Sequence, residues 1–196
     1  HQRHLLEDGF GCRRLRQRLS RARTSSSKAG GPLSGAARPA LEIATDYSTK
    51  RKAFGTQIKN FEAVSFRVAE MVTKLDSARA MIHTTALAID SGRVKASRCR
   101  RMASESKKFV TEQCWDVANL AMQVMGGIGY TDVYPIEKIV RDLRLSMIWV
   151  GTNDIMSLII QHEHYRERLA ELASGEKRNS EMDALNAFAE GEKVYE

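Results

Sequence analysis

Apolar residues recur at intervals of three and four over most of the middle of this chain, the repeat of one face of an α-helix. From Gly35 to Lys50 the positions Ala36, Ala40, Ile43, Ala44 and Tyr47 share such a face, with Pro39 near the start, where a missing N–H costs least. A longer series, Phe61, Val64, Val68, Met71, Val72, Leu75, Ala78, Ile82 and Leu87, predicts a second helix that stops at Ser91-Gly92. The third runs from about Lys95 to Met125 through Met102, Phe109, Val110, Cys114, Val117, Ala118, Ala121 and Val124, and ends at Gly126-Gly127. A shorter helix begins near Pro135 with Ile136, Ile139, Val140 and Leu143 inward, and a last one runs from Asn153 past Ile155, Leu158, Ile159 and Leu169. Short links between long helices favour antiparallel neighbours, so an all-α, antiparallel four-helix bundle is the expected architecture. Strand signals are few: β-branched residues are scattered and no short alternating runs sit between turn residues.

The flanks differ from this middle. Residues 1–31 are rich in Arg and Ser and lack a sustained apolar face, 32–172 form the bundle, and 173–196 make a polar, acidic tail in which Ala184, Leu185, Ala187 and Phe188 suggest a short helix. A chain of 196 residues suits one domain with a sizeable core. The formal charge of +7 is concentrated at the front, where Arg3, Arg13, Arg14, Arg16, Arg18, Arg21, Arg23 and Lys28 face only Glu7 and Asp8. That stretch reads as disordered or loosely helical. An organelle leader, a basic nucleic-acid arm and sequence foreign to the domain are the alternatives. The last is favoured, because the chain does not begin with Met and carries acids among its arginines.

Cysteines and carboxylates narrow the chemistry. Cys12, Cys99 and Cys114 are far apart and odd in number, which fits neither a disulfide framework nor metal-ligand spacing and points to a reducing compartment. No apolar run approaches the roughly 20 residues of a membrane span, so a soluble protein is expected, cytoplasmic or, alternatively, in the mitochondrial matrix. Glu105, Glu112 and Asp116 lie at helical spacing, but Lys107 and Lys108 beside them favour a solvated face. His162-Glu163-His164 resembles half a metal site, yet alternate helical residues do not share a face, and His83 reads as helix surface or core. No metal site is expected.

Three segments break the helical pattern with residues suited to phosphate or a planar ring. In Arg51-Lys52-Ala53-Phe54-Gly55 an Arg can meet a phosphate bidentately and Phe54 can cover an apolar ring; a plain C-cap with a helix-end cation explains the segment as well. In Gln123-Val124-Met125-Gly126-Gly127-Ile128-Gly129-Tyr130 the glycines let a ligand approach the backbone and Gln123 offers a donor and an acceptor, but a cap and turn would suffice. In Trp149-Val150-Gly151-Thr152-Asn153-Asp154 either Thr152 or Asn153 can cap the following helix, whose free N–H groups suit an anionic or carbonyl partner.

Taken in order, with Pro135, Lys138, Arg141 and Asp142 between the last two, these segments resemble the C-terminal signature of the acyl-CoA dehydrogenase family: R-x-x-F-G, Q-x-x-G-G-x-G-Y, P-x-x-(K/R)-x-x-R-D and G-T. The resemblance covers roughly Pro32 to Leu169. It implies a bundle that also forms the core of a tetramer, or of a dimer. FAD would lie across a subunit boundary, with Arg51 and Phe54 at its pyrophosphate and ring system and Gln123, Gly126 and Gly127 on the adenine side. Thr152 and Asp154 would lie near the FAD of their own subunit, although the family often has Gln or Glu at the latter. Glu62 departs from a Gln that usually touches the flavin, and an acid sits badly beside pyrophosphate.

The family's reaction is α,β-dehydrogenation of an acyl-CoA thioester, with electron-transfer flavoprotein as partner. A Glu takes the α-proton while hydride passes to the flavin, and such a base must reach the α-carbon. In most members that Glu immediately precedes Gly-Thr; here the position is Val150. The isovaleryl and long-chain types place it on the helix before the R-x-x-F-G arginine, and counting back from Arg51 reaches Thr24 to Ser27, which holds no carboxylate. No catalytic base is therefore expected. The resemblance implies a C-terminal piece of a dehydrogenase, its base-bearing helix replaced by unrelated basic sequence. The alternatives are a catalytically silent assembly bundle or a nucleic-acid-binding protein with a basic arm, though the latter leaves the four ordered motifs unexplained.

Overall fold

The computed structural model describes residues 34–174. The basic stretch 1–31 and the tail 173–196 lie outside the described residues, apart from Ala173 and Ser174, which continue the last helix. Residues 34–50 form α1. A hairpin of β1 (Lys52–Ala53) and β2 (Thr56–Gln57) and a 3-10 turn (Ile58–Asn60) lead to α2 (Glu62–Asp90). Then come α3 (Ala96–Met125), a 3-10 turn (Gly126–Tyr130), α4 (Ile136–Ser146) and α5 (Asn153–Ser174). The all-α helical bundle of the sequence reading is what forms, with α4 as a short fifth helix. The hairpin is the addition. Its strands are two residues long, too short for alternation to register.

Helix α3 is the hub. Ala37, Ala40 and Ala44 of α1, Met71, Leu75 and Ala78 of α2, Val110, Cys114, Val117, Ala118 and Ala121 of α3, and Ile136 and Leu143 of α4 form one buried cluster. The deepest line of α1 is Ala37, Ala40, Ala44 and Ser48, whereas Ala36, Ile43 and Tyr47, expected at its centre, are half-buried at its edge. Small side chains on that line let the helix axes approach closely, and the larger ones seal the sides.

Ion pairs fix the direction of packing. Lys74 Nζ of α2 donates to Asp116 Oδ2 of α3 at 3.0 Å and to Gln113 Oε1 at 3.4 Å, and the hydrogen bond accepted by Asp116 raises the lysine's pKa. Arg101, near the start of α3, pairs with Glu167, near the end of α5, while Lys107, further along α3, meets Asn153 at the start of α5. The two helices are therefore antiparallel. Between them Glu163 is fully buried, paired with Arg100 and with Arg166 at 3.4 Å.

Two sequence expectations are corrected by this packing, that for the carboxylates of α3 and that for the apolar face of α5. Glu105, Glu112 and Asp116 are half-buried ion-pair partners of Arg101, Lys108 and Lys74, not a freely solvated face. His162 and His83 are exposed, and His164 Nδ1 lies 3.2 Å from Arg101 Nη1. Ile155, Leu158 and Leu169 face outward, because α5 lies on α3 through its charged side. With Tyr165 and Leu172 they leave an open apolar face, and Val72, Leu87 and Phe109 are outward too. Among the described residues no helix is long and apolar enough to cross a membrane.

Candidate functional site

Helix α1 ends where the first motif begins. Arg51 N donates to Tyr47 O at 2.9 Å, closing the last helical turn, and Arg51 O accepts from Ile58 N at 2.9 Å across the hairpin base. With Lys52 opposite Gln57 and Ala53 opposite Thr56, only Phe54 and Gly55 remain for the tip. Both take positive φ, +50° and +83°, the backbone of a tight two-residue hairpin turn. Glycine adopts that shape freely, whereas phenylalanine does so at a cost of roughly 1–3 kcal/mol. Phe54 nevertheless stands 97% exposed, edge-on to Phe61 with ring centroids 6.2 Å apart. The simple helix cap is thus replaced by a hairpin that holds an aromatic ring out into solvent.

The second motif terminates α3. Gly126, at φ +64°, ends the helix, and its N–H donates to Met122 O. Its neighbours divide into two kinds. A Cβ at Gly129 would lie 2.9 Å from Met125 Cβ and 3.2 Å from Met122 O, so that glycine is demanded by packing. Around Gly126 and Gly127 a Cβ would meet nothing within 4 Å, so their backbone is open to approach.

These two motifs face each other. Tyr47, Arg51 and Ile58 form one wall of an open cleft of about 400 Å³, and the run from Val124 to Ile128 forms the other. Arg51, Gly126 and Gly127 all line this cleft, while Gln123 is exposed on the last turn of α3 and Phe54 stands on the hairpin outside the lining. Tyr47 and Ile58 complete the lining without carrying a sequence signal of their own, Tyr47 reading only as a member of an apolar helical face. The Arg51 side chain has no hydrogen-bond or ion-pair partner among the described residues. An unpaired guanidinium, an open glycine backbone and apolar walls suit a flat ligand carrying anionic charge. The described lining offers no carboxylate, histidine or thiol that could act as a general base.

The third motif lies elsewhere. Thr152 Oγ1 accepts from Ile155 N at 3.3 Å, so Thr152 caps α5, with Asp154 exposed in the first turn. Ahead of it Val150 and Gly151 both take positive φ, +54° and +91°, and Val150 is 76% exposed. Asn153 is buried, and its Nδ2 donates to Thr111 Oγ1 at 3.1 Å and to Glu112 Oε1 at 3.2 Å. At 1.5 Å per residue, Thr111 stands about 22 Å from Gly126 along α3. Thr152 and Asp154 are therefore a second cluster, well removed from the cleft.

The family pattern described as acyl-CoA dehydrogenase, C-terminal domain, matches residues 9–165, beginning inside the basic opening stretch. A caffeyl-CoA reductase–Etf complex subunit of Acetobacterium woodii is 33% identical over 126 residues, covering 64% of this chain and 32% of that protein. The mitochondrial isobutyryl-CoA dehydrogenase of Bos taurus is 35% identical over 133 residues, covering 68% of this chain and 31% of its own length. The crystal structure of acyl-CoA dehydrogenase from Geobacillus kaustophilus superposes with a TM-score of 0.67 at 29% identity, over 74% of this chain and 37% of that one. The chain spans about a third of the length of these relatives.

Proposed function

This chain belongs to the acyl-CoA dehydrogenase family, and from that premise we propose that it is the part of an FAD-dependent acyl-CoA α,β-dehydrogenase that grips the cofactor without supplying the base. The observation that carries this is the cleft in which Arg51 faces Gly126 and Gly127. Arg51 would meet the FAD pyrophosphate in fork geometry, Phe54 would cover the ring system from the hairpin tip, and Gln123, Gly126 and Gly127 would receive the adenine side. The flavin, when bound, supplies the hydride acceptor of the family's reaction.

Thr152 and Asp154 would approach flavin from the start of α5. At about 22 Å from the cleft along α3 they are assigned to a different cofactor molecule, which supports a homo-oligomer with FAD across the subunit boundary. The open apolar face of Ile155, Leu158, Tyr165, Leu169 and Leu172 supports assembly as well. At the position where most members carry the base, Val150 has no proton to exchange, so no proton abstraction is assigned to the described residues. In the complete protein the partners would be an acyl-CoA and an electron-transfer flavoprotein, in the cytoplasm or the mitochondrial matrix. A relative named for a complex with Etf and another named as mitochondrial fit this reading.

Titrating FAD into the 196-residue chain, with flavin fluorescence as the signal, tests the proposal. Saturable binding is expected, weakened about ten-fold in Arg51→Met by loss of a charge-assisted contact. Absence of binding at millimolar FAD, or equal affinity in Arg51→Met, would reject the cleft as the cofactor site.

A further inference from the structure

The turn before α5 is held by a buried polar clamp. Lys107 Nζ of α3 donates to Gly151 O at 2.9 Å and to Asn153 Oδ1 at 2.7 Å. Asn153 Oδ1 also accepts from Thr111 Oγ1 at 3.3 Å, and Asn153 N donates to Met147 O at 3.0 Å. With the two Nδ2 bonds to Thr111 and Glu112, both polar atoms of this buried side chain are engaged. Thr111 is itself 1% exposed, and burial lowers the pKa of Lys107. Nothing of this kind is needed to cap α5, since Thr152 already does so.

What the clamp holds is a strained backbone. Val150 is β-branched and sits at φ +54°, which such residues avoid, and its largely exposed side chain gains little packing in return. Strain of this sort persists only where the surroundings over-determine it.

We infer that Lys107 and Asn153 are positioning residues whose hydrogen bonds impose the left-handed backbone at Val150-Gly151 and so set the direction in which residue 150 and the α5 N-terminus are presented to the proposed flavin. The left-handed posture belongs to the clamp and not to the side chain at 150. The functional half of this rests on the flavin-site reading above; the structural half does not.

A double-mutant cycle in urea on the 196-residue chain reads the coupling directly. In the wild-type background Val150→Gly relieves the strain and raises the folding equilibrium constant roughly two- to five-fold, the left-handed cost less glycine's entropy. In Lys107→Met the turn relaxes, so the same substitution gains nothing. Hydrogen exchange of the amides of residues 149–155 rises in Lys107→Met while the α2–α3 core stays protected. Should Lys107→Met fail to fold, Thr111→Val removes a bond partner of Asn153 at constant shape and serves in its place. An equal Val150→Gly gain in both backgrounds, or unchanged exchange at the turn, overturns the proposal. Neither readout involves FAD, so a chain that binds no flavin leaves the clamp standing, and a flavin-binding chain with an unclamped turn removes the clamp alone.

Discussion

Tyr47 and Tyr134 meet edge to face, with ring centroids 6.1 Å apart and planes at 77°. The contact joins the last turn of α1 to the segment just before α4, and Tyr47 also lines the cleft beside Arg51. One wall of the cleft is therefore braced from outside it. Aromatic pairs contribute about 0.5–1.5 kcal/mol beyond their area. Tyr134→Leu, which keeps an apolar side chain, should lower urea-derived stability by about 1 kcal/mol and weaken FAD binding without touching the cofactor.

Phe54→Gly should separate stability from binding. The ring is almost wholly exposed and the backbone strained, so glycine removes a cost and sacrifices only the edge contact with Phe61. Thermal unfolding is expected to be unchanged or higher by up to about 1 kcal/mol at the midpoint. FAD affinity should fall. A clear loss of stability would mean that the Phe54–Phe61 contact outweighs the left-handed cost.

Gly129→Ala forces a methyl group to 2.9 Å from Met125 Cβ and 3.2 Å from a backbone carbonyl in the last turn of α3. Overpacking against main chain costs about 1–3 kcal/mol. Gly127→Ala, with open space around it, should leave stability within about 0.5 kcal/mol and report on ligand approach instead. Paired denaturation curves of the two variants test the division of labour among these glycines.

Alkaline pH should expose the burial of Cys114. Desolvation pushes its thiol pKa up to about 12 from an ordinary 9.0, so between those values the folded state binds more protons than the unfolded one. The stability this represents is complete below pH 9 and is lost as pH rises toward 12, by at most about 4 kcal/mol at 1.36 kcal/mol per unit. Comparing urea midpoints at pH 8 and pH 10.5 should show a smaller alkaline loss in Cys114→Ala than in the wild type.

The helices were legible because burial on one face leaves a period of 3.6 in the sequence. The stops at Ser91-Gly92 and Gly126 fall within a residue of where α2 and α3 end. Periodicity could not say what covers a face. On α5 the residues Ile155, Leu158 and Leu169 keep helical spacing yet point outward, while the seam against α3 is carried by Asn153 and Glu163. Charged residues read as solvated, since a buried carboxylate such as Glu163 differs from an exposed one only through the arginines brought to it by the fold. The cleft was half legible: Arg51 and the two glycines carry recognisable chemistry, whereas Tyr47 and Ile58 join them only through the hairpin, which is too short to announce itself.

The two motif tips share one construction, a bulky residue followed by glycine, both in the left-handed region: Phe54-Gly55 and Val150-Gly151. In each, the posture of the main chain is settled by bonds that do not involve the bulky side chain. Position 150 is therefore a socket, and what is mounted there can be exchanged without redrawing its surroundings. Valine and glutamate codons differ by as little as one base. The side chain at 150 and the scaffold that presents it can therefore vary independently of one another.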